Sequence, residues 1–153
     1  MNRRESIQMT ASELSAFLDE QRTLIVASLG PDGYPHVVPM WYTLVDGRLA
    51  FWTYAKAQKT VNLRRDPRIT CLIEAGEVYS DLRGAQIKGV ATLIEEEASV
   101  LRLGIELHER NYGRPLSPEL QRKVERQASK RAGVIVQPLR IVSWDHRKLG
   151  GDF

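Results

Sequence analysis

Apolar residues recur along this chain with two periods, one typical of strands and one typical of amphipathic helices. Six runs with strand composition predict strands over 23–29, 34–45, 48–54, 69–73, 79–94 and 134–143. Gly30-Pro31-Asp32-Gly33 and Asp46-Gly47 predict tight turns on either side of the second run. Pro35 and Pro39 favour a sheet edge or a bulge for that run, because a proline has no N–H for the strand ladder.

The helical period predicts an N-terminal helix over 10–22, a short helix over 57–65 and a helical insertion over 95–131 that holds two helices. The first helix opens with a capping box, in which Thr10 and Glu13 satisfy each other's backbone donors. Within the insertion, the acidic residues 95–97 suit a helix N-terminus, and Gly113 ends that helix. The next helix begins at Ser117-Pro118, with serine as its cap and proline as its first residue.

The order of these elements indicates the fold class. Strands joined by short hairpins, with the helices inserted late, predict an antiparallel sheet or barrel of the α+β class in a single domain over 1–153. The β-α-β alternation of dinucleotide-binding folds is missing, and so is their Gly-x-Gly-x-x-Gly motif. After the last strand, residues 144–153 are expected to form a polar tail.

Composition supports a globular protein and narrows its chemistry. The 153 residues, 42% hydrophobic and 27% charged, suffice for one domain with its own core. Cys71 is the single cysteine and lies in an apolar run, which predicts a small buried hydrophobe, and the histidines lack metal-ligand spacing. The net charge of +3 is too small to indicate a nucleic-acid partner. Neither a signal peptide nor a membrane span is recognised, so a cytoplasmic location is expected.

The first candidate site lies where the third strand leads into the helix at 57–65. Thr53, Lys56 and Lys59 gather at that junction. Free backbone N–H groups and the positive end of the helix dipole favour an anion there, and a lysine ammonium adds a point charge suited to phosphate. The alternative interpretation is a solvated basic helix face.

Two further segments have features of a binding surface. Pro39-Met40-Trp41 offers the apolar wall that a flat aromatic ligand needs, whereas the alternative assigns these side chains to ordinary core. The C-terminal tail with Trp144 either docks on a surface or frays. No nucleophile–base pair or carboxylate pair has catalytic spacing, which predicts that a bound cofactor supplies the reactivity of any enzyme built on this chain.

The block Lys59-x-x-Asn62-Leu63-Arg64-Arg65-Asp66-Pro67-Arg68, preceded by Pro39 to Tyr42 and Phe51-Trp52-Thr53, resembles the pyridoxamine 5'-phosphate oxidase-like split-barrel superfamily. The segments 83–89 and 143–151 are similar to its flavin/deazaflavin oxidoreductase B group, which uses coenzyme F420. The resemblance covers 23–151 and implies a six-stranded split β-barrel that forms a homodimer with cofactor sites at the interface. The implied function is hydride transfer from reduced F420 to an unsaturated small-molecule acceptor.

The resemblance also implies a set of cofactor-binding residues and no metal. It places the cofactor phosphate against Thr53 and Lys59, with Lys56 as a second charge, because the arginine that some relatives carry two residues before the lysine is here Ala57. The implied set is Pro39, Met40, Trp41, Thr53, Lys56, Lys59, Asn62, Gln86, Lys88 and Trp144. The acidic tail of F420 is expected to follow a basic surface made by Lys56, Arg64, Arg65 and Arg68.

Two alternatives to the F420 enzyme stay open at this point. One is an FMN-dependent oxidoreductase on the same barrel, and the other is a non-catalytic protein that binds a flavin or a haem breakdown product. The full phosphate-binding set of arginine and serine residues of true pyridoxamine phosphate oxidases is not present, which argues against vitamin B6 oxidation.

Overall fold

A computed structural model describes residues 2–150 and arranges them around one seven-stranded antiparallel sheet. The strands are β1 (Thr23–Leu29), β2 (Pro35–Trp41), β3 (Thr43–Val45), β4 (Arg48–Tyr54), β5 (Arg68–Ala75), β6 (Arg83–Ile94) and β7 (Arg131–Asp145). The helices are α1 (Arg3–Ser6), α2 (Ala11–Glu20), α3 (Gln58–Arg65), α4 (Glu97–Tyr112) and α5 (Pro118–Ala128), with 3-10 turns at Tyr79–Asp81 and His146–Leu149. The expected α+β class and split-barrel architecture are confirmed, with seven strands instead of six.

The strand order β2-β1-β5-β6-β7-β4-β3 curls into a half-barrel with two cores. The main core fills the inside of the sheet, where Leu24, Val26 and Phe51 are fully buried, and helix α2 covers it with Phe17. The second core lies outside the barrel, between β4 and the helices α4 and α5, with Trp52 as its largest member. Strand β2 stays partly exposed along its whole length.

Tyr42 explains why the predicted second strand is two strands. Strand β2 pairs with β1 up to Trp41, whereas β3 pairs with β4 from Thr43 onward, so the chain crosses between the two edges of the sheet at Tyr42. The Tyr42 side chain is fully buried and its hydroxyl donates a 2.5 Å hydrogen bond to the Leu18 carbonyl. Periodicity within 34–45 did not reveal this crossing, because apolar residues continue on both sides of it.

The last strand is longer than predicted at both ends. Arg131 already pairs with Tyr54, so the helical insertion ends at Ala128 and not at residue 131. At the other end, Trp144 and Asp145 still pair with β6, so the expected tail over 144–153 loses its first two residues to β7. Residues 151–153 of that tail lie outside the described part of the chain.

The predicted helix caps are confirmed where the structure describes them. Thr10 and Glu13 form the capping box of α2, and Ser117 accepts a hydrogen bond from the Leu120 N–H of α5. Helix α4 starts at Glu97, later than the expected residue 95, because the Glu96 carboxylate accepts from the first-turn N–H groups. Within residues 2–150, none of the helices has the length and apolar character needed to cross a bilayer.

Candidate functional site

Two cations that have no acidic partner among residues 2–150 mark the junction between β4 and α3. Lys59 is the second residue of α3, and its half-buried ammonium has no hydrogen-bond or ion-pair partner among residues 2–150. Burial lowers the pKa of Lys59, and the nearby positive charge of Arg131 lowers it further. A lysine in this setting is short of a counter-charge, so an anion bound beside it would restore its charged form.

Arg131, the first residue of β7, carries the second charge. Its guanidinium carbon lies 3.7 Å from the ring centre of Tyr54 and 5.0 Å from that of Trp52. Nη2 donates to Gln127 at 2.9 Å, but the buried Nε has no acceptor anywhere in residues 2–150. Burial also lowers the pKa of Arg131. An orphaned buried donor is rare in native proteins and indicates a missing acceptor.

The start of α3 adds backbone donors to this cation pair. Its cap residue, Ala57, has no side chain able to accept from the first turn, so the N–H groups of Gln58 and Lys59 stay free within the described chain. Together with Lys59 and Arg131 they form a donor set with the charge and geometry that suit a phosphate group. We call Lys59, Arg131 and this helix start the anion site.

Four rings stand next to the anion site in what we call the aromatic corner: Trp41, Trp52, His108 and Tyr112. His108 lies edge-on to Trp52 with ring centres 5.5 Å apart, and it stacks on Tyr112 at 6.1 Å. Trp41 meets Tyr112 edge-on at 5.7 Å. The corner borders a cavity of about 220 Å³ lined by Pro39, Met40, Trp41, Trp52, Leu107 and Arg131. Trp52 connects the two features, because its ring contacts both His108 and Arg131.

Gly104 permits the close approach of α4 that builds this corner. A Cβ at Gly104 would lie 2.4 Å from Cζ3 of Trp52, which is far inside contact distance, so only glycine lets the helix rest on that ring. One turn later, the Nδ1 of His108 lies 2.7 Å from the Gly104 carbonyl oxygen. The same glycine therefore positions both Trp52 and His108.

The outer face of the sheet holds the remaining predicted residues. Register places Pro39, Ile25, Leu72, Gln86 and Val142 in one row across five strands. Lys88 lies in the neighbouring row, and with Gln86, Arg140 and Val142 it lines a cavity of about 160 Å³. Gln86 is three strands away from Pro39, about 14 Å at the usual spacing of ~4.8 Å per strand. Within one protomer, Gln86 and Lys88 therefore lie apart from the aromatic corner.

A family comparison matches this chain over residues 10–145 with the family model described as pyridoxamine 5'-phosphate oxidase. The chain belongs to that family. Members of this family share the split barrel seen here, and the match spans α2 to the end of β7. No curated protein matches the sequence significantly.

Solved structures show the same family fold. A conserved hypothetical protein of Mycobacterium tuberculosis, Rv2991, is 42% identical over 100% of this chain and 95% of its own length, with a TM-score of 0.90. An F420 reductase is 20% identical, covering 83% of this chain and 94% of its own, with a TM-score of 0.65. The haem storage protein HutZ of Vibrio cholerae is 17% identical over 87% and 94% of the two chains, with a TM-score of 0.68. At this low identity the last two show a shared fold.

Several residues of the predicted cofactor set have positions that change their interpretation. Asn62 is fully buried and donates to Ser28 Oγ at 3.1 Å, so it positions α3 on β1 and offers no surface to a ligand. Thr53 is 1% exposed, so it too offers almost no surface to a ligand. Trp144 lies within β7 and packs on Gly84, far along the sheet from the anion site of its own protomer.

Two of the four cations in the expected basic surface are neutralised by carboxylates. Arg64 pairs with Glu95 at 2.5 Å, Arg68 pairs with Asp66 at 2.6 Å, and Arg65 donates to the Leu29 carbonyl. In contrast, the exposed Lys56 has no partner among residues 2–150. Arg64 and Arg68 are thus paired with carboxylates, whereas Arg65 and Lys56 have no carboxylate partner among residues 2–150, and the basic surface for an acidic tail stays a prediction.

Sequence reasoning missed Arg131, His108 and Tyr112. Arg131 was assigned to the end of a helix, although its position opposite Tyr54 depends on a strand pairing between distant segments. His108 and Tyr112 are four residues apart on α4, a spacing that places both on one helix face. That spacing was a usable signal, but nothing local showed which residues the face meets.

Proposed function

We propose that this protein is an F420-dependent oxidoreductase that transfers hydride to an unsaturated small-molecule acceptor. The observation that carries the proposal is the pair of half-buried cations, Lys59 and Arg131, which lie beside an aromatic wall and have no counter-charge within the described chain. A flavin-type cofactor combines a flat ring system with a phosphate, so it matches both features. Membership in the pyridoxamine 5'-phosphate oxidase family supports a cofactor of this type.

The residues present fit such a cofactor in distinct roles. Lys59, Arg131 and the free N–H groups of α3 would hold the phosphate, and Arg131 Nε would gain its missing acceptor. Pro39, Met40 and Trp41 would provide an apolar wall for the ring. When bound and reduced, a deazaflavin supplies a hydride without one-electron chemistry. The protein's own contribution is to bind, orient and shield the reacting groups.

FMN is the second candidate cofactor, and one observation favours it. Two of the arginines expected to bind the acidic tail of F420, Arg64 and Arg68, are already paired with carboxylates, and Arg65 donates to a backbone carbonyl. FMN ends at its phosphate and needs no such surface. A non-catalytic role in binding a flavin or a haem breakdown product is the third candidate.

We further propose that the protein acts as a homodimer formed through the outer face of the sheet. Val37 is 57% exposed on β2 and Val142 is 42% exposed on β7, although both lie on a broad strand surface without a covering helix. Unpaired, partly apolar sheet faces of this kind are usually covered by a partner. A second copy would also bring its Gln86 and Lys88 toward the anion site, from which they are separated within one protomer.

Parallel fluorescence titrations of the purified protein with F420 and FMN test the choice of cofactor. The proposal expects tighter binding of F420, followed by oxidation of reduced F420 in a screen of acceptors that includes quinones and biliverdin. Tighter binding of FMN would favour the second candidate. Binding without hydride transfer to any acceptor would favour the third.

A further inference from the structure

We propose that a second small-molecule site lies between α1 and the last strand, and that it takes a planar aromatic carboxylate. The site is a cavity of about 500 Å³, within the roughly 300–1,000 Å³ of typical ligand sites. Among the described residues it shares no lining residue with the cavity beside Trp41, so the inference does not depend on the proposed function. We call it the β7 edge cavity, and the lining residues that matter most are Arg4, Arg140, Ile141, Ser143 and Trp144.

The second half of β7 is an open sheet edge. Strand β4 pairs with β7 only up to Ile135, and beyond that residue β7 pairs with β6 alone. The N–H of Asp145 points away from β6, because it donates to the Ile7 carbonyl at 2.7 Å. Backbone directions alternate along a strand, so the N–H groups of Ser143 and Ile141 point to the same free side, where both residues line the cavity. An open edge of this kind offers hydrogen bonds to whatever lies beside it.

The N-terminal segment forms the opposite wall of the cavity. Besides the hydrogen bond to the Ile7 carbonyl, Lys148 Nζ donates to the Gln8 carbonyl at 2.8 Å. The Met9 N–H donates to Ser143 Oγ at 3.2 Å. These bonds tie the segment to β7 and to the turn that follows it, so the cavity lies between two walls that are fixed to each other.

Trp144 supplies a flat apolar surface. A Cβ at Gly84 would lie 2.1 Å from Cζ2 of Trp144, so the ring rests on the backbone of β6 at a position where only glycine leaves room. A ring held in this way is positioned in advance for stacking with a planar ligand, which stabilises binding beyond the area that it buries. Ile141, which is 39% exposed, adds aliphatic surface to the same cavity.

Two arginines select an anion. Arg4 and Arg140 both line the cavity, and neither guanidinium has a hydrogen-bond or ion-pair partner among residues 2–150. Glu5 lines the cavity too, but its carboxylate accepts from the Asn2 N–H at 3.2 Å in the capping box of α1. A guanidinium presents a planar fork of N–H donors that matches the two oxygens of a carboxylate. Together with the N–H groups of the strand edge, this donor set suits a carboxylate attached to a flat ring.

An NMR titration with 2-naphthoate tests the site without any cofactor. The indole N–H signals of the three tryptophans, Trp41, Trp52 and Trp144, are separate reporters. We expect 2-naphthoate to shift the signal of Trp144 and to leave those of Trp41 and Trp52 in place. Shifts of Trp41 and Trp52 with an unchanged Trp144 would place the ligand beside the anion site and overturn the proposal, as would the absence of any shift.

The neutral analogue 2-naphthamide isolates the role of the arginines. The protein should bind 2-naphthoate about three- to tenfold more tightly than 2-naphthamide, as expected for a carboxylate held by partly exposed guanidinium groups. Arg4→Gln and Arg140→Gln should each reduce that preference by about two- to threefold. The matched control is Arg122→Gln, which removes an exposed arginine of α5 and should leave the preference unchanged. Equal affinity of the parent protein for the two compounds would refute the anion selectivity.

Competition with cofactors separates this site from the one under the proposed function. FMN and F420 should leave 2-naphthoate binding unchanged, and Lys59→Ala should weaken the binding of the cofactors alone. Displacement of 2-naphthoate by either cofactor would show that the cavity belongs to the cofactor site and would overturn the proposal. Binding of 2-naphthoate as expected, with no binding of either cofactor, would support this site and contradict the proposed function.

Discussion

Replacing Gly104 with alanine should destabilise the protein through Trp52. The added Cβ would lie 2.4 Å from Cζ3 of that ring, whereas ordinary contact begins at 3.4 Å, so helix and ring must separate by about 1 Å. Overpacking of this kind costs roughly 1–3 kcal/mol. Alanine in a helix interior recovers about 1 kcal/mol relative to glycine. The expected net loss in the free energy of unfolding is therefore about 1 kcal/mol.

A double-mutant cycle isolates the contact. In a Trp52→Leu background the obstructing ring is gone, so Gly104→Ala should raise the free energy of unfolding by about 1 kcal/mol. Urea denaturation of the four proteins gives the coupling, expected at roughly 1–3 kcal/mol. A stabilising Gly104→Ala in both backgrounds would show that α4 does not rest on Trp52, and the aromatic corner would lose its structural basis.

Three further changes have expected results. Tyr42→Phe should lower the free energy of unfolding by only about 0.5–1.5 kcal/mol in urea denaturation, because Arg110 also donates to the Leu18 carbonyl that the hydroxyl leaves; a loss above ~3 kcal/mol would contradict this. Glu96→Ala should cost about 1 kcal/mol in thermal unfolding through the lost cap of α4, and Glu96→Asp should restore most of it. Because burial and the charge of Arg131 lower the pKa of Lys59, its charge is lost at a lower pH than that of a free lysine, so FMN affinity should begin to fall below the ordinary lysine titration range. Lys59→Arg should flatten that pH profile, and an equal decline in both proteins would refute it.

The fold followed from local signals in the sequence. The capping box at Thr10, the turn at Asp46-Gly47 and the serine-proline start of α5 are each decided by residues within one turn, and each is present in the structure. The crossing at Tyr42 was not predicted, because it depends on which strand each half pairs with. Pairing between segments that are distant in sequence has no local signature.

Only part of the candidate site could be predicted, because the rest again depends on contacts between segments that are distant in sequence. Lys59 at a helix start is a local feature, and the structure shows it half-buried, with no partner in the described part of the chain. Arg131 reaches it only because β7 pairs with β4, and His108 reaches Trp52 only because α4 packs on that strand. The run of basic residues was the least reliable guide to the site, since Arg64 forms an ion pair with Glu95, which is 31 residues away.

The dissociation constants of F420 and FMN for Lys59→Ala and Arg131→Ala test the central claim most directly. A charge-assisted hydrogen bond to phosphate is worth roughly 1.5–3 kcal/mol, so each variant should bind both cofactors about one to two decades more weakly. Lys123→Ala is the matched control, because it removes an exposed lysine of α5 that is paired with Glu119. The predicted result is weaker cofactor binding by the Lys59 and Arg131 variants and unchanged binding by the Lys123 variant. Cofactor binding that is equally tight in all three variants and the parent protein would contradict the anion site.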